Sequence, residues 1–240
     1  MIVSPPFFRN RAEAGARLAD LLSGSPRPKA TVLALPRGGV PIAVTIAERL
    51  HVPWDVFIVR KVGAPGNPEY GLGAVAEGGI VLIDDERARE VGIGPGELAE
   101  EIQEQQAEVE RRVQEYRHGR PGLPVEGRAV ILVDDGLATG GTARTAVRAL
   151  RTRSPRSVTL AVGVASREAY ETLAPEVDEI ICPCLPPWFS AVGEWYREFD
   201  QVSDSEVLRL LAGDRSTGRP SPSSLPPERS RPRRGRHTSP

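Results

Sequence analysis

The 240-residue sequence is poor in the residue types that build disulfide frameworks or zinc sites. It contains two cysteines and three histidines, and the cysteines, Cys182 and Cys184, are separated by a single residue. That spacing matches neither a disulfide-stapled domain nor a structural zinc site, which would need further ligands. We therefore expect both thiols to be ordinary core groups in a reducing cytoplasm. A redox-sensing pair is the alternative interpretation.

The sequence also lacks long apolar runs and any excess of charge. No run of roughly 18 apolar residues occurs, which is the length that a membrane-spanning helix needs. The N-terminus has no basic region followed by an apolar stretch, so no signal peptide is expected. The formal net charge of −1 offers no overall field for nucleic acid or an anionic membrane. These absences predict a cytoplasmic protein without a membrane partner, and they argue against nucleic acid.

Apolar residues make up 40% of the chain, enough for a globular core, and their pattern alternates between strands and helices. In chain order the pattern predicts helix 9–22, strand 31–35, helix 40–50, strand 54–60, strands 72–76 and 80–83, helix 95–118, strand 128–133, helix 142–152, strand 157–164, helix 167–173 and strand 178–181. This alternation predicts an α/β fold, in which a parallel sheet is flanked by helices. Residues 62–79 are dense in glycine and proline, and we expect a partly mobile loop there.

The composition changes near residue 213. Residues 213–240 are rich in proline, serine, glycine and arginine and have little to bury, so a disordered tail is expected. Residues 1–212 are expected to form the folded domain. A basic tail could contact nucleic acid or acidic lipid, although a solvated extension is the simpler interpretation.

The most informative segment is 133–142, with the sequence Val-Asp-Asp-Gly-Leu-Ala-Thr-Gly-Gly-Thr. It follows an apolar run and precedes a helical pattern, so Asp134 and Asp135 should lie where a strand ends. In an open parallel sheet, ligands bind outside the carboxyl ends of the strands. Glycine-loop amides at a helix start bind phosphate, and paired carboxylates accept hydrogen bonds from a sugar diol. The segment therefore suits a ribose 5-phosphate.

Two commoner phosphate motifs do not fit this segment. No Gly-Lys-Ser/Thr follows the glycines, as it would in a P-loop. The acids precede the glycines, whereas a dinucleotide fingerprint places its acid roughly 20 residues after them. The remaining alternative is a strand–turn–helix with an acidic end and a helix cap at Thr142.

Segment 133–142 resembles the phosphoribosyl-pyrophosphate (PRPP) motif of type I phosphoribosyltransferases, and its form is most similar to the adenine enzymes. The wider pattern, over about residues 5–210, is most similar to a bacterial group of phosphoribosyltransferases without an assigned substrate. The resemblance implies a type I phosphoribosyltransferase-like sheet with a small C-terminal hood, at about residues 182–205, and a flexible loop. It also implies that PRPP is a substrate and that the protein forms a homodimer. The implied cofactor is Mg²⁺, which would be bound mainly through PRPP and water rather than directly by the protein.

Within this motif, the resemblance assigns Asp134 and Asp135 to the ribose hydroxyls and counts both among the catalytic residues. The 5-phosphate is assigned to the loop that follows, namely Ala138, Thr139, Gly140, Gly141 and Thr142.

A second turn with the same placement is 35–39, Leu-Pro-Arg-Gly-Gly, between a predicted strand and a predicted helix. Its glycines expose backbone amides, and Arg37 carries a forked donor for phosphate oxygens. The turn resembles the family's pyrophosphate-binding loop, which often has a non-proline cis peptide. Arg37, Gly38 and Gly39 would then hold the leaving pyrophosphate. The alternative is an ordinary turn with a solvent-facing arginine.

Arg60 and Lys61 come where a predicted strand meets the glycine-rich segment. The adenine enzymes have a similar pair, and their flexible loop has a Glu-Tyr-Gly that resembles Glu69-Tyr70-Gly71. Carried over, Arg60 and Lys61 would bind pyrophosphate, Lys61 would be catalytic, and Glu69 would be the acid or base. Glu77 is the reserve candidate. The 6-oxopurine enzymes have an aspartate at the position of Ala138, so another group must handle any base proton here. A loop that turns without closing is the alternative.

Aromatic residues form only 5% of the chain, yet several fall between 188 and 199. The family's hood supplies a ring that stacks on the base, and Trp188 and Phe189 are the candidates for it. Trp195 and Phe199 are expected instead to pack under the C-terminal segment.

Together, these features predict transfer of a 5-phosphoribosyl group from PRPP to a nitrogenous, nucleobase-like acceptor with release of pyrophosphate. Two alternatives stay open: a PRPP-binding regulator without catalysis, and hydrolase or phosphorylase chemistry on a ribose 5-phosphate. The sequence does not identify the small-molecule acceptor.

Overall fold

The computed structural model describes residues 6–213, apart from the side chains of residues 68 and 69. In chain order the elements are α1 (Arg11–Leu22), β1 (Thr31–Ala34), α2 (Gly39–Leu50), β2 (Trp54–Val56), β3 (Val59–Ala64), β4 (Asn67–Ala76), β5 (Ile80–Ile83), α3 (Asp85–Glu90), α4 (Pro95–Arg117), β6 (Ala129–Leu137), α5 (Gly141–Arg151), β7 (Ser157–Ala165), α6 (Arg167–Leu173), β8 (Glu179–Ile181) and α7 (Asp204–Leu211). Except for its first residue, the tail predicted at 213–240 lies outside the described residues.

Five parallel strands form the central sheet, in the order β2-β1-β6-β7-β8. Alternate residues of a strand point to opposite faces, so each strand contributes to two cores. Val32 and Ile131 belong to the core that includes α1 and α2, whereas Leu33 and Leu132 belong to the core that includes α5 and α6. Because both faces are covered, the strands read as continuous apolar runs rather than alternating ones. The predicted α/β class, a parallel sheet flanked by helices, is confirmed.

The carboxyl ends of β1 and β6 bring the two candidate turns to one edge of the sheet. β1 ends at Ala34, which pairs with Val133 of β6. β6 then continues beside β7 as far as Leu137, which pairs with Ala165. The sequence predicted that the strand would end before the acids, but β6 includes Asp134 and Asp135 and ends only at Leu137.

A second, antiparallel sheet of three strands, in the order β3-β4-β5, occupies most of the segment that was expected to be a loop. The predicted strand 54–60 is also divided, because the chain leaves the parallel sheet after β2. Glycine is present here for close strand packing as well as for turning. A Cβ atom on Gly73 would lie 2.2 Å from the carbonyl oxygen of Leu82 on β5. Composition alone does not distinguish these two uses of glycine.

Two helices, α3 and α7, were not predicted. Both begin at a side-chain cap: Asp84 accepts from the amide of Arg87 at 3.1 Å, and Ser203 from that of Glu206 at 3.1 Å. The Ser203-x-x-Glu206 spacing is a helix-start signal that could have located α7.

Among residues 6–213, no helix has the length and apolar character needed to cross a membrane.

Candidate active site

Two neighbouring carboxylates lie at the end of β6. Asp134 and Asp135 are both partly buried, and the Asp135 amide donates to Oδ1 of Asp134 at 2.9 Å. Burial, and then the charge of Asp135, raise the pKa of Asp134 well above its ordinary value. Within the pair, the charged form of Asp134 therefore carries a desolvation penalty.

Asp135 is held by groups from both ends of the described chain. Nε and Nη2 of Arg11, on α1, donate to its Oδ2 atom at 3.0 and 2.8 Å. The hydroxyl of Tyr196 donates to its backbone carbonyl at 2.6 Å. Gly163 leaves room for this contact, because a Cβ atom there would lie 2.1 Å from that hydroxyl. Sequence reasoning missed both Arg11 and Tyr196, since neither lies near the acids in the chain.

The turn 35–39 packs directly against the acidic pair. A Cβ atom on Gly38 would lie 2.2 Å from Oδ2 of Asp135, and one on Gly39 would lie 2.4 Å from the carbonyl oxygen of Val133. The peptide bond between Pro36 and Arg37 is cis, as the family resemblance implies. The glycines in this turn therefore allow it to approach the β6 backbone.

Arg37 extends from this turn to the C-terminal helix. Its Nη1 atom lies 3.4 Å from Oδ2 of Asp204, at the start of α7. The hydroxyl of Tyr116, on α4, donates to the other oxygen of the same carboxylate. Burial and this carboxylate raise the pKa of Tyr116, so its hydroxyl stays protonated. The arginine is about one-third exposed, so a ligand can still reach it.

The loop that joins β6 to α5, together with the first residues of α5, is mostly exposed. Ala138, Thr139, Gly141 and Thr142 are exposed. Gly140 is the N-cap residue of α5 in a left-handed conformation, with φ of 73°, and no side chain caps the helix. The alternative in which Thr142 is a helix cap is therefore wrong. A hydrogen bond ties the loop to the start of α6, because the hydroxyl of Ser166 donates to the carbonyl of Ala138 at 2.7 Å.

Arg60 and Lys61 point to opposite sides of β3, as neighbours on a strand do. Nε of Arg60 donates to Gln105 on α4 at 2.9 Å. Lys61 instead lines a cleft of about 490 Å³ between the antiparallel sheet and α5, which Gly71, Gly141 and Thr145 also border. The structure thus brings Lys61, but not Arg60, toward the start of α5. Glu69 lies on β4, and its side chain is outside the described part of the chain.

Glu77 is placed where it cannot serve as a reserve acid or base. Its side chain is only 6% exposed and lies 3.0 Å from Nη2 of Arg117 and 3.4 Å from Nη1 of Arg153. Arg117 in turn pairs with Asp55 at 2.9 Å. The buried carboxylate is thus one member of an ion cluster that joins α4, β2 and the base of the antiparallel sheet.

The residues of the predicted hood divide into exposed and buried rings. Trp188 is 85% exposed, whereas Phe189 is partly buried against the core. Trp195 is buried, and Phe199 stacks on Tyr196 with ring centroids 5.1 Å apart, so their predicted packing role is confirmed. Val192 contacts the end of β6, since a Cβ atom on Gly136 would lie 2.7 Å from it. This segment therefore lies beside the acidic pair.

Among the side chains that the structure describes, no three from histidine, cysteine or acidic residues cluster in a way that could hold a metal. Asp134 and Asp135 lie between the 35–39 turn and the loop before α5. Mg²⁺ prefers oxygen ligands and keeps several waters, with one or two carboxylates beside substrate phosphates. This donor set fits a magnesium ion that arrives with a phosphorylated substrate.

The sheet and the loops at its carboxyl edge define an α/β protein of the type I phosphoribosyltransferase-like class. The family model described as the phosphoribosyl transferase domain matches residues 8–197. The chain therefore belongs to the phosphoribosyl transferase family.

Relatives and a solved structure agree with this membership. Two proteins named "Putative phosphoribosyl transferase", from the CDC 1551 and H37Rv strains of Mycobacterium tuberculosis, are 38% identical over 204 residues, which is 85% of this chain. The chain spans about half the length of these curated relatives, 46% of each. The crystal structure of TT1426 from Thermus thermophilus is 42% identical, with a TM-score of 0.79, and the match covers 86% of this chain and 98% of that one.

Proposed function

We propose that this chain transfers the 5-phosphoribosyl group of PRPP to a nitrogenous acceptor and releases pyrophosphate. One observation carries the proposal: the 35–39 turn packs against Asp134 and Asp135, and the uncapped start of α5 follows them. Hydrogen-bond donors for anions thus lie on both sides of the acidic pair. PRPP has the matching order of groups, with its ribose between a pyrophosphate and a 5-phosphate.

Each part of PRPP has a matching part of the site. The amides of 138–142 would bind the 5-phosphate, helped by the positive end of the α5 dipole. Asp134 and Asp135 would accept hydrogen bonds from the ribose hydroxyls. The turn at Arg37, Gly38 and Gly39 would bind pyrophosphate, and Lys61 would reach it from the antiparallel sheet. Arg60 has no part in this assignment, because its contact with Gln105 ties β3 to α4.

Magnesium would be held by PRPP oxygens and water beside the acidic pair, and when bound it would neutralise charge on the leaving pyrophosphate. The protein's own contribution is positioning and electrostatics. The backbone amides and Arg37 lie where leaving-group charge develops as the C1–O bond lengthens. A nitrogen of the acceptor then attacks C1 with inversion. Covering the site would exclude water, which would otherwise capture the ribosyl cation.

The acceptor would lie between the end of β6 and the segment 182–205. Trp188 is the stronger stacking candidate, because its exposed ring is available to a planar base, whereas Phe189 is partly buried. Glu69 remains the candidate for proton transfer. A chain that binds PRPP without turning it over would be a regulator, and this is the second candidate function.

Calorimetry with PRPP and Mg²⁺, with and without a panel of nucleobases, tests the proposal. Wild-type protein is expected to bind PRPP, and Asp134→Asn with Asp135→Asn to abolish binding. Asp20→Asn is the matched control, because this aspartate is 74% exposed on α1 and pairs with Arg49. Glu69→Gln should bind PRPP normally and slow turnover with any acceptor that reacts.

The outcomes separate the candidates. PRPP binding without turnover across the panel would favour the regulator. A reverse reaction that does not depend on pyrophosphate would favour a hydrolase or phosphorylase. Equal PRPP affinity in the double variant and the wild type would exclude all of these assignments of the acidic pair.

A further inference from the structure

Arg11 donates two hydrogen bonds to Asp135 of the candidate site, although it lies 124 residues before this partner in the chain. It is the first residue of α1. Asn10 caps this helix, because its side chain accepts from the amide of Glu13 at 3.1 Å. The side chains of Arg11 and Asp135 are 11% and 15% exposed, so water screens their pairing little.

The guanidinium is fixed on every side. Beyond the two bonds to Asp135, Nη1 donates to the carbonyl of Asp200 at 2.8 Å. The ring of Phe199 lies against its face, with 3.9 Å between Cζ and the ring centroid. A planar group held by contacts from three directions cannot follow a moving carboxylate, so it fixes the carboxylate instead.

The direction of these bonds matters as much as their number. Nε and Nη2 of Arg11 reach the same atom, Oδ2, which is also the carboxylate oxygen nearer to Gly38. Arg11 therefore holds the carboxylate by one oxygen and leaves Oδ1 of Asp135 for another donor. Asp134, the other member of the pair, receives the Asp135 amide, whereas the hydrogen bonds of Arg11 go to Asp135 and Asp200.

We propose that Arg11 is a positioning residue for ribose recognition, which fixes Asp135 through Oδ2 so that Oδ1 is presented to a sugar hydroxyl. The inference rests on the proposed function, since it assigns Asp135 to the ribose. It adds that the N-terminal helix and the segment around Phe199 are parts of the sugar site, because they hold the arginine that orients it. The competing explanation is that Arg11 only ties α1 to the rest of the fold.

The two explanations differ in which ligand they affect. If Arg11 is a positioning residue, replacing it should weaken the binding of ligands that carry ribose hydroxyls. It should not weaken the binding of pyrophosphate, which would contact the 35–39 turn. If the role is purely structural, replacing Arg11 should weaken the binding of every ligand equally, or should lower the melting temperature without changing the relative affinities. Binding measurements avoid any need to know the acceptor.

The test measures calorimetric Kd values for PRPP with Mg²⁺, ribose 5-phosphate and pyrophosphate. Arg11→Gln should weaken PRPP and ribose 5-phosphate by about tenfold or more and change pyrophosphate by less than about twofold. Arg11→Lys, which keeps the charge but not the fork, should recover part of the loss. Arg17→Gln is the matched control: this arginine is on the same helix, pairs with Glu13 at 2.6 Å and should leave all three affinities unchanged.

A double variant, Arg11→Gln with Asp135→Asn, should bind PRPP no more weakly than Asp135→Asn alone, because the arginine acts through that carboxylate. Unchanged ribose 5-phosphate and PRPP affinity in Arg11→Gln, or an equal loss for pyrophosphate, would overturn the inference while leaving the proposed function intact. If Arg11→Gln does not fold, the same criteria apply to Arg11→Lys. Wild-type protein that binds no PRPP would instead overturn the proposed function, and the inference with it.

Discussion

A Cβ atom on Gly38 would lie 2.2 Å from Oδ2 of Asp135, so the 35–39 turn and the acidic pair are in direct contact with no room for a larger side chain. The same oxygen is held by Arg11 at 2.8 Å and cannot swing aside without breaking that pair. The turn and the acidic pair therefore form one packed unit rather than two separate loops.

Gly38→Ala should disturb this unit. We expect a loss of about 1–3 kcal/mol in the free energy of unfolding, which is typical of overpacking, together with weaker PRPP binding. Gly96→Ala is the control, since a Cβ atom there, in the first turn of α4, meets nothing within 4 Å. Urea unfolding and calorimetry on both variants check the result. A Gly38→Ala protein as stable and as tightly binding as the control would show that the contact is easily relieved.

The parts of this site that are local in sequence could be predicted, and the parts that join distant segments could not. The acidic pair, the glycine loop and the 35–39 turn each carry a recognisable pattern at a strand end. The contacts from Arg11 and Tyr196 to Asp135 depend on packing between α1, β6 and the segment after β8, and no local pattern encodes that. Single arginines are common in this chain, so nothing in the sequence distinguishes Arg11.

Glu77 was the reserve candidate for acid or base, but its side chain is buried in an ion cluster. Its sequence position, after a glycine-rich segment, is compatible with a mobile acid, but the carboxylate is enclosed by Arg117 and Arg153. We expect Glu77→Gln to cost about 3 kcal/mol of stability, because it leaves buried guanidinium groups without full compensation. Glu115→Gln is the control, since its partner Arg111 is 58% exposed, and it should cost less than about 1 kcal/mol.

Urea unfolding of both variants gives the comparison, and PRPP binding should survive in Glu77→Gln under conditions in which it is folded. Loss of turnover with no loss of stability would return Glu77 to the list of acid or base candidates.

The two cysteines should be unreactive in the folded protein. Burial raises the pKa of Cys182 to about 12 and that of Cys184 to about 11, so few thiolates exist near neutral pH. At about pH 8, half a unit below the ordinary thiol pKa, a thiol-specific disulfide reagent should label the native protein slowly and should label both residues after unfolding in guanidinium. Cys182→Ser, which removes the more accessible thiol, identifies any site that reacts. Rapid labelling of native protein would support the redox-sensing alternative.

Asp134 should be costly to the fold at neutral pH, because burial and the adjacent Asp135 raise its pKa. An acid whose pKa is higher in the folded state than in the unfolded state destabilises the fold at pH values above its unfolded pKa, and the penalty is full above its folded pKa. That penalty disappears as the pH falls and the carboxyl becomes protonated. Asp134→Asn keeps an oxygen that can accept the Asp135 amide but removes the charge.

We therefore expect Asp134→Asn to be more stable than wild type by on the order of 1 kcal/mol near neutral pH, with the difference shrinking toward acidic pH. PRPP binding should be weakened in the same protein, since sites that bind substrates commonly retain groups that cost stability. Urea unfolding of wild type and Asp134→Asn from neutral to acidic pH measures the effect, with Asp20→Asn as the exposed control. A stability difference that grows as the pH falls would have the wrong sign and would mean that Asp134 is charged at little cost.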